Sequence, residues 1–154
     1  MSKIYLYTTF YNETNNLRKQ ELLSCLENNL SNKTISKLIV FNEGVSIAHL
    51  APTNIEEVFV DKRPTYQDFI TYINTNSTSD DIHIIANTDI YFDKNIEVLK
   101  HINLKDTCLA LSRWDTADTI KPKFYNHNDS QDVWIFKGPI KQQLKANYPL
   151  GVPR

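Results

Sequence analysis

Apolar residues come along this chain in short blocks separated by polar turns, and the spacing inside each block predicts its element. Ile4 to Phe10 is apolar and aromatic, a strand whose end is marked by Thr8-Thr9 and the polar Tyr11-Asn12-Glu13. Lys37 to Phe41, Val58 to Val60, Ile82 to Ala86, Thr107 to Leu111 and Val133 to Phe136 are further brief β-branched or apolar runs of strand length. Between them the period changes. Leu22, Leu26 and Leu30 fall on one stripe with Leu23 and Cys25 beside it, so a helix capped by Thr14 is expected to run to about Leu30. Tyr66, Phe69, Ile70 and Ile73 make an i, i+3, i+4, i+7 face, and Thr65 with Asp68 has capping-box spacing, which predicts a helix to about Asn76. Ile96, Val98, Leu99 and Ile102 suggest another over Lys94 to Ile102, with Asp93 as its N-cap. Gly138-Pro139, followed by Ile140 and Leu144 one turn apart, predicts a last one. The polar stretch from Asp115 to Asp132 reads as loop, and Pro52 interrupts any regular element between Val45 and Glu57.

Strands alternating with amphipathic helices predict an α/β fold: a mostly parallel central sheet with helices on both faces. The 154 residues suit one domain spanning 1–154. Ile82-His83-Ile84-Ile85-Ala86 is the most uniformly apolar run and is expected at the sheet centre, buried on both faces. His83 within it reads as a hydrogen-bonded core residue. Asn87, Thr88 and Asp89 follow directly, at the carboxyl end of the strand, where open α/β sheets take ligands. A carboxylate there can grip a hard cation or a sugar hydroxyl.

Composition narrows the choices. Hydrophobic residues are 41% and aromatics 11%, enough for a real core, and 17 Lys+Arg against 18 Asp+Glu give a net charge of -1. With no basic block, a nucleic-acid partner is disfavoured. No run approaches the roughly 20 apolar residues of a membrane span, and the first residues do not form a signal peptide, so a soluble, cytoplasmic protein is expected. Cys25 and Cys108 are expected as reduced core thiols. Only three glycines occur, which excludes the Gly-rich dinucleotide fingerprint and the Walker loop, and the four scattered histidines give no support to a zinc site.

Thr8-Thr9-Phe10-Tyr11-Asn12, Arg63-Pro64-Thr65-Tyr66, Asn87-Thr88-Asp89-Ile90-Tyr91-Phe92-Asp93, Ser112-Arg113-Trp114-Asp115 and Ser130 to Pro139 occur in that order. As a set they resemble the GT-A glycosyltransferases of viral and bacterial surface-polysaccharide synthesis, and the likeness spans nearly the whole chain. It implies a Rossmann-like GT-A fold and transfer of a sugar from a nucleoside diphosphate donor, of UDP or GDP type, to a saccharide acceptor hydroxyl. By the same resemblance Thr9, Tyr11 and Asn12 would meet base and ribose, and Arg63 the diphosphate or base. Asn87, Thr88 and Asp89 would complete the nucleotide-sugar site. Asp89 would hold Mn²⁺ or Mg²⁺, while Asn87 stands where the family's motif has its first acid. An inverting enzyme needs a carboxylate to accept the acceptor's proton; Asp132 is the first candidate and Asp115 the second. Trp114 and Trp134 are candidate platforms for sugar rings, with core packing as the plainer role. The chain is shorter than the family's usual enzymes, so the acceptor half is expected on another domain of a larger enzyme. The competing expectations are a non-catalytic nucleotide-sugar or carbohydrate-binding module and an α/β interaction protein with no small ligand.

Overall fold

A computed structural model describes residues 2–51, 53–116 and 121–151. Pro52 itself and 117–120 of the polar stretch lie outside the described residues, but the stretch around Pro52 is not irregular as expected: a 3-10 turn covers Ala48–Leu50, and the strand expected at Val58 to Val60 spans Ile55–Phe59.

Strand β1 (Ile4–Phe10) is followed by helix α1 (Asn16–Ser31), β2 (Lys37–Asn42), β3 (Ile55–Phe59), α2 (Tyr66–Asn76) and β4 (Ile82–Ala86). After these come β5 (Cys108–Leu111), the two-residue pair β6 (Trp114–Asp115) and β7 (Lys123–Phe124), and β8 (Val133–Lys137). Six strands form one sheet in the order β3-β2-β1-β4-β8-β5. The first four are parallel, and β8 runs antiparallel to both β4 and β5. The arrangement is α/β and Rossmann-like, with a mostly parallel sheet.

Alternation along β1 sends successive side chains to opposite faces. Ile4 and Leu6 join Leu38, Val40, Ile82, Ile84 and Leu26 of α1 in one apolar layer. Tyr7 joins Ile39, Phe41, Ile85, Phe136 and the α2 residues Phe69 and Ile73 in the other. Helices therefore cover both faces, and all five residues of β4 are buried as their apolar run predicts. His83 is fully buried and hydrogen-bonded through Nδ1 to the Tyr7 hydroxyl at 3.0 Å. Burial lowers its pKa from 6.5 to about 4, so the imidazole is neutral at pH 7.

Several boundaries differ from expectation. Asn15, rather than Thr14, caps α1, its side chain accepting from Arg18 N while Glu13 holds Asn15 N. Thr65 and Asp68 do form the predicted capping box. The stretch Lys94–Lys100 is 3-10 and ends before Ile102, although Asp93 caps it. Ile96 and Leu99, three residues apart, pack on the core, whereas Val98 and Ile102 face solvent, and that spacing suits a three-residue turn. No helix follows Gly138 among the described residues. Its φ of +70° redirects the chain, and Asn74 of α2 takes both the N–H and the carbonyl of Ile140. Both cysteines are free; Cys25 is buried, its thiol pushed up to about 11 by burial, but Cys108 is exposed on the edge strand β5 and is no core residue. Among the described residues no helix is long and apolar enough to cross a membrane.

Candidate functional site

From β1 the chain builds outward through β2 to β3, then returns by α2 to place β4 on the other flank of β1. Connections leave the adjacent tips of β1 and β4 in opposite directions, and such a switch point opens a crevice at the strands' carboxyl ends. A cavity of about 80 Å³ occupies it. Thr9 at the end of β1 and Tyr11 just past it line it, with Asn87, Thr88 and Asp89 from the turn after β4 and Arg63 from the turn ahead of α2, so these predicted binding residues meet in one place. Asn12 does not join them. Its side-chain oxygen accepts from Val45 N, and it lies so close to Gly44 that a Cβ there would meet it at 2.5 Å.

The hydroxyls at the cavity floor are spoken for. Thr88 donates to the Thr9 carbonyl at 2.7 Å, so the 2.9 Å contact between the two hydroxyls is donated by Thr9. Both side chains are buried and tie the tip of β1 to that of β4. The Asn87 side chain donates to Asp132 at 3.1 Å, while its amide oxygen Oδ1 is buried without a partner among the described residues.

Charge sits on the walls. Arg63 pairs with Glu43 at 3.1 Å, donates to the Leu150 carbonyl and lies over the Tyr11 ring, 4.8 Å from its centroid. Residues around Leu150 are strapped to the start of α2, because Tyr66 N donates to Tyr148 O and Leu150 N to Pro64 O. Arg18, in the first turn of α1, also lines the cavity and pairs with Asp89 at 2.9 Å and Glu21 at 2.6 Å. Sequence reasoning missed Arg18, although its place just after the polar tip of the first strand was visible.

A larger open groove of about 1280 Å³ runs beside the cavity, between α1, the segment after β4 and the segment after β5. Trp114 and Asp115 line it, Trp114 exposed and packed on Phe124 at 5.3 Å between ring centroids. Trp134 instead donates to the Tyr66 hydroxyl and packs edge-on against that ring. Asp89 is the residue common to the walls of cavity and groove.

The two candidate bases share a guanidinium. Arg113 donates to Asp115 Oδ1 at 2.8 Å and to Asp132 Oδ2 at 2.9 Å, and the other oxygen of Asp132 accepts from Asn87. Asp132 is thus engaged at both oxygens with its side chain only 11% exposed, while Asp115 is 45% exposed on the groove.

Among the described residues no three His, Cys, Asp or Glu side chains stand close enough to cage a metal. Hard cations of the Mg²⁺ class are commonly held by one or two carboxylates plus substrate phosphates and water. Asp89 as a single carboxylate at the cavity wall fits a cation that arrives with a diphosphate, and does not fit an all-protein site.

No family model matches the chain, and no curated protein matches its sequence. Among solved structures it is similar to the apo-form glycosyltransferase GlyE of Streptococcus pneumoniae TIGR4, with a TM-score of 0.47 and 10% identity over 89% of this chain and 34% of that one. The chain therefore spans about a third of the length of that structure. A likeness at this level carries no residue correspondence.

Proposed function

We propose that this chain binds a nucleoside diphosphate sugar at the β1/β4 switch point and transfers the sugar to a saccharide hydroxyl held in the adjoining groove. The observation that supports this most is the position of Asp89, the carboxylate where a phosphate-sized cavity opens into a groove wide enough for sugars. In this reading the diphosphate lies in the cavity between Arg18 and Arg63, whose guanidinium forks suit phosphate oxygens. The sugar extends past Asp89 into the groove, where exposed Trp114 offers a flat apolar face. A bound Mn²⁺ or Mg²⁺, held by Asp89 and the diphosphate, would supply Lewis-acid stabilisation of the leaving diphosphate. The buried Asn87 oxygen awaits a donor, which a ribose hydroxyl supplies.

Proton acceptance from the acceptor falls to Asp115, since its second oxygen is open to the groove. Asp132 braces Arg113 from behind and so positions Asp115. In that arrangement Asp115→Asn lowers turnover about 100-fold or more while donor affinity stays within a factor of two or so. Unchanged turnover removes Asp115 from the reaction.

The broad test is a thermal-shift screen of nucleoside diphosphates and their sugars with and without Mn²⁺. Stabilisation by one base, larger with its sugar attached and lost in Asp89→Ala, is the expected result; no shift with any of them overturns the proposal. A second reading, a module that binds the donor without transfer, draws on the full engagement of Asp132, the carboxylate first expected as base. Donor binding with neither hydrolysis nor transfer in the presence of Mn²⁺ selects it.

A further inference from the structure

Arg18 sits between two claims. Its guanidinium is held by Asp89 and Glu21, yet it lines the cavity that Asp89 shares with the groove. Its backbone is fixed, because Arg18 N donates to the Asn15 cap, but its side chain is 39% exposed and that of Asp89 31%. Exposed ion pairs of this kind are weak and readily exchanged. A diphosphate offers the same guanidinium more charge and a better-matched fork of oxygens than one half-wet carboxylate does.

One further feature favours an anion here. Arg63 faces the cavity from another wall, so two guanidiniums line it. The N-terminus of α1 adds little of its own, because the Glu13 carboxylate already accepts from Asn15 N there.

We infer that Arg18 is an electrostatic latch: it pairs with Asp89 while the cavity is empty and exchanges that carboxylate for the oxygens of an incoming diphosphate, freeing Asp89 to face the groove. This rests on the donor-binding reading and adds a residue and an order of events to it. Binding of the diphosphate and exposure of the Asp89 carboxylate become one step.

The latch makes a prediction of opposite signs. If Asp89 competes with the anion for Arg18, Asp89→Asn raises the affinity for inorganic pyrophosphate in the absence of divalent metal, about threefold to tenfold. Arg18→Gln lowers it tenfold or more. In the double variant the gain from Asp89→Asn disappears, because no guanidinium remains to be released; a general effect of removing one negative charge persists in that background. Calorimetric titration of the full chain with pyrophosphate, and in parallel with uridine and guanosine diphosphate, reads all three variants, and circular dichroism confirms that each is folded.

Loss of affinity in Asp89→Asn, a gain that survives in the double variant, or unaltered affinity in Arg18→Gln overturns the latch. Nucleotides that bind well while Arg18→Gln has no effect overturn the latch alone. Pyrophosphate that follows the predicted signs while no nucleotide binds more tightly than it does retains the latch and overturns the nucleotide reading.

Discussion

His83 and Asp89 stand on one stretch of chain, either side of the point where β4 leaves the sheet, and they are treated in opposite ways. His83 is sealed between two helix-covered faces, stripped of charge by burial and fixed to Tyr7. Asp89 stands at a half-open rim, against a guanidinium that water also reaches. A polar group used for packing and one placed for exchange stand six positions apart. Asp132 lies between the two extremes, a carboxylate locked by Arg113 and Asn87. Burial, more than residue type, decides which polar groups are braces and which are available to a ligand.

The contrast is breakable first at His83. Its imidazole titrates at 6.5 in the unfolded chain and at about 4 in the fold, so between those values the unfolded state binds more protons. Stability contributed by the neutral ring is complete above about pH 6.5 and falls as the pH drops towards 4, by up to about 3 kcal/mol at roughly 1.4 kcal/mol per unit. Urea denaturation of wild type and His83→Gln across that window isolates this part of the slope. Parallel pH dependences contradict it.

Next is Asp132. Its replacement by Ala leaves the Asn87 amide without its acceptor and Arg113 held by Asp115 alone, for a loss of about 2 kcal/mol in urea denaturation. A loss below roughly 0.5 kcal/mol, the level of an ordinary surface change, contradicts its role as a brace.

The smallest effect on stability belongs to Asp89. Because its pair is half-exposed, Asp89→Asn costs less than about 1 kcal/mol, yet metal-supported donor binding is lost. A large destabilisation instead makes Asp89 a second Asp132 and erases the contrast.

Much of this architecture is legible in the chain because period and burial coincide. The continuous apolar runs gave β1, β2 and β4, and Thr65 with Asp68 gave the start of α2. The bunching of Thr9, Tyr11, Arg63 and Asn87 to Asp89 follows from all lying at strand carboxyl ends or entering the helix beside them. What the chain concealed depends on distant partners. Asn74 captures Ile140 and prevents the helix that Gly138-Pro139 suggests. Asn12 is drawn to Gly44 and Val45, away from the cavity. Arg18 reads locally as one more solvated helix charge, and only the return of β4 beside β1 brings Asp89 to it.

The most direct measurement is a crystal structure with Mn²⁺ and whichever nucleoside diphosphate stabilises the chain most. Our account predicts the diphosphate in the β1/β4 crevice, between Arg18 and Arg63 and beside Asp89. Diphosphate bound at another edge of the sheet, with that crevice empty, contradicts it.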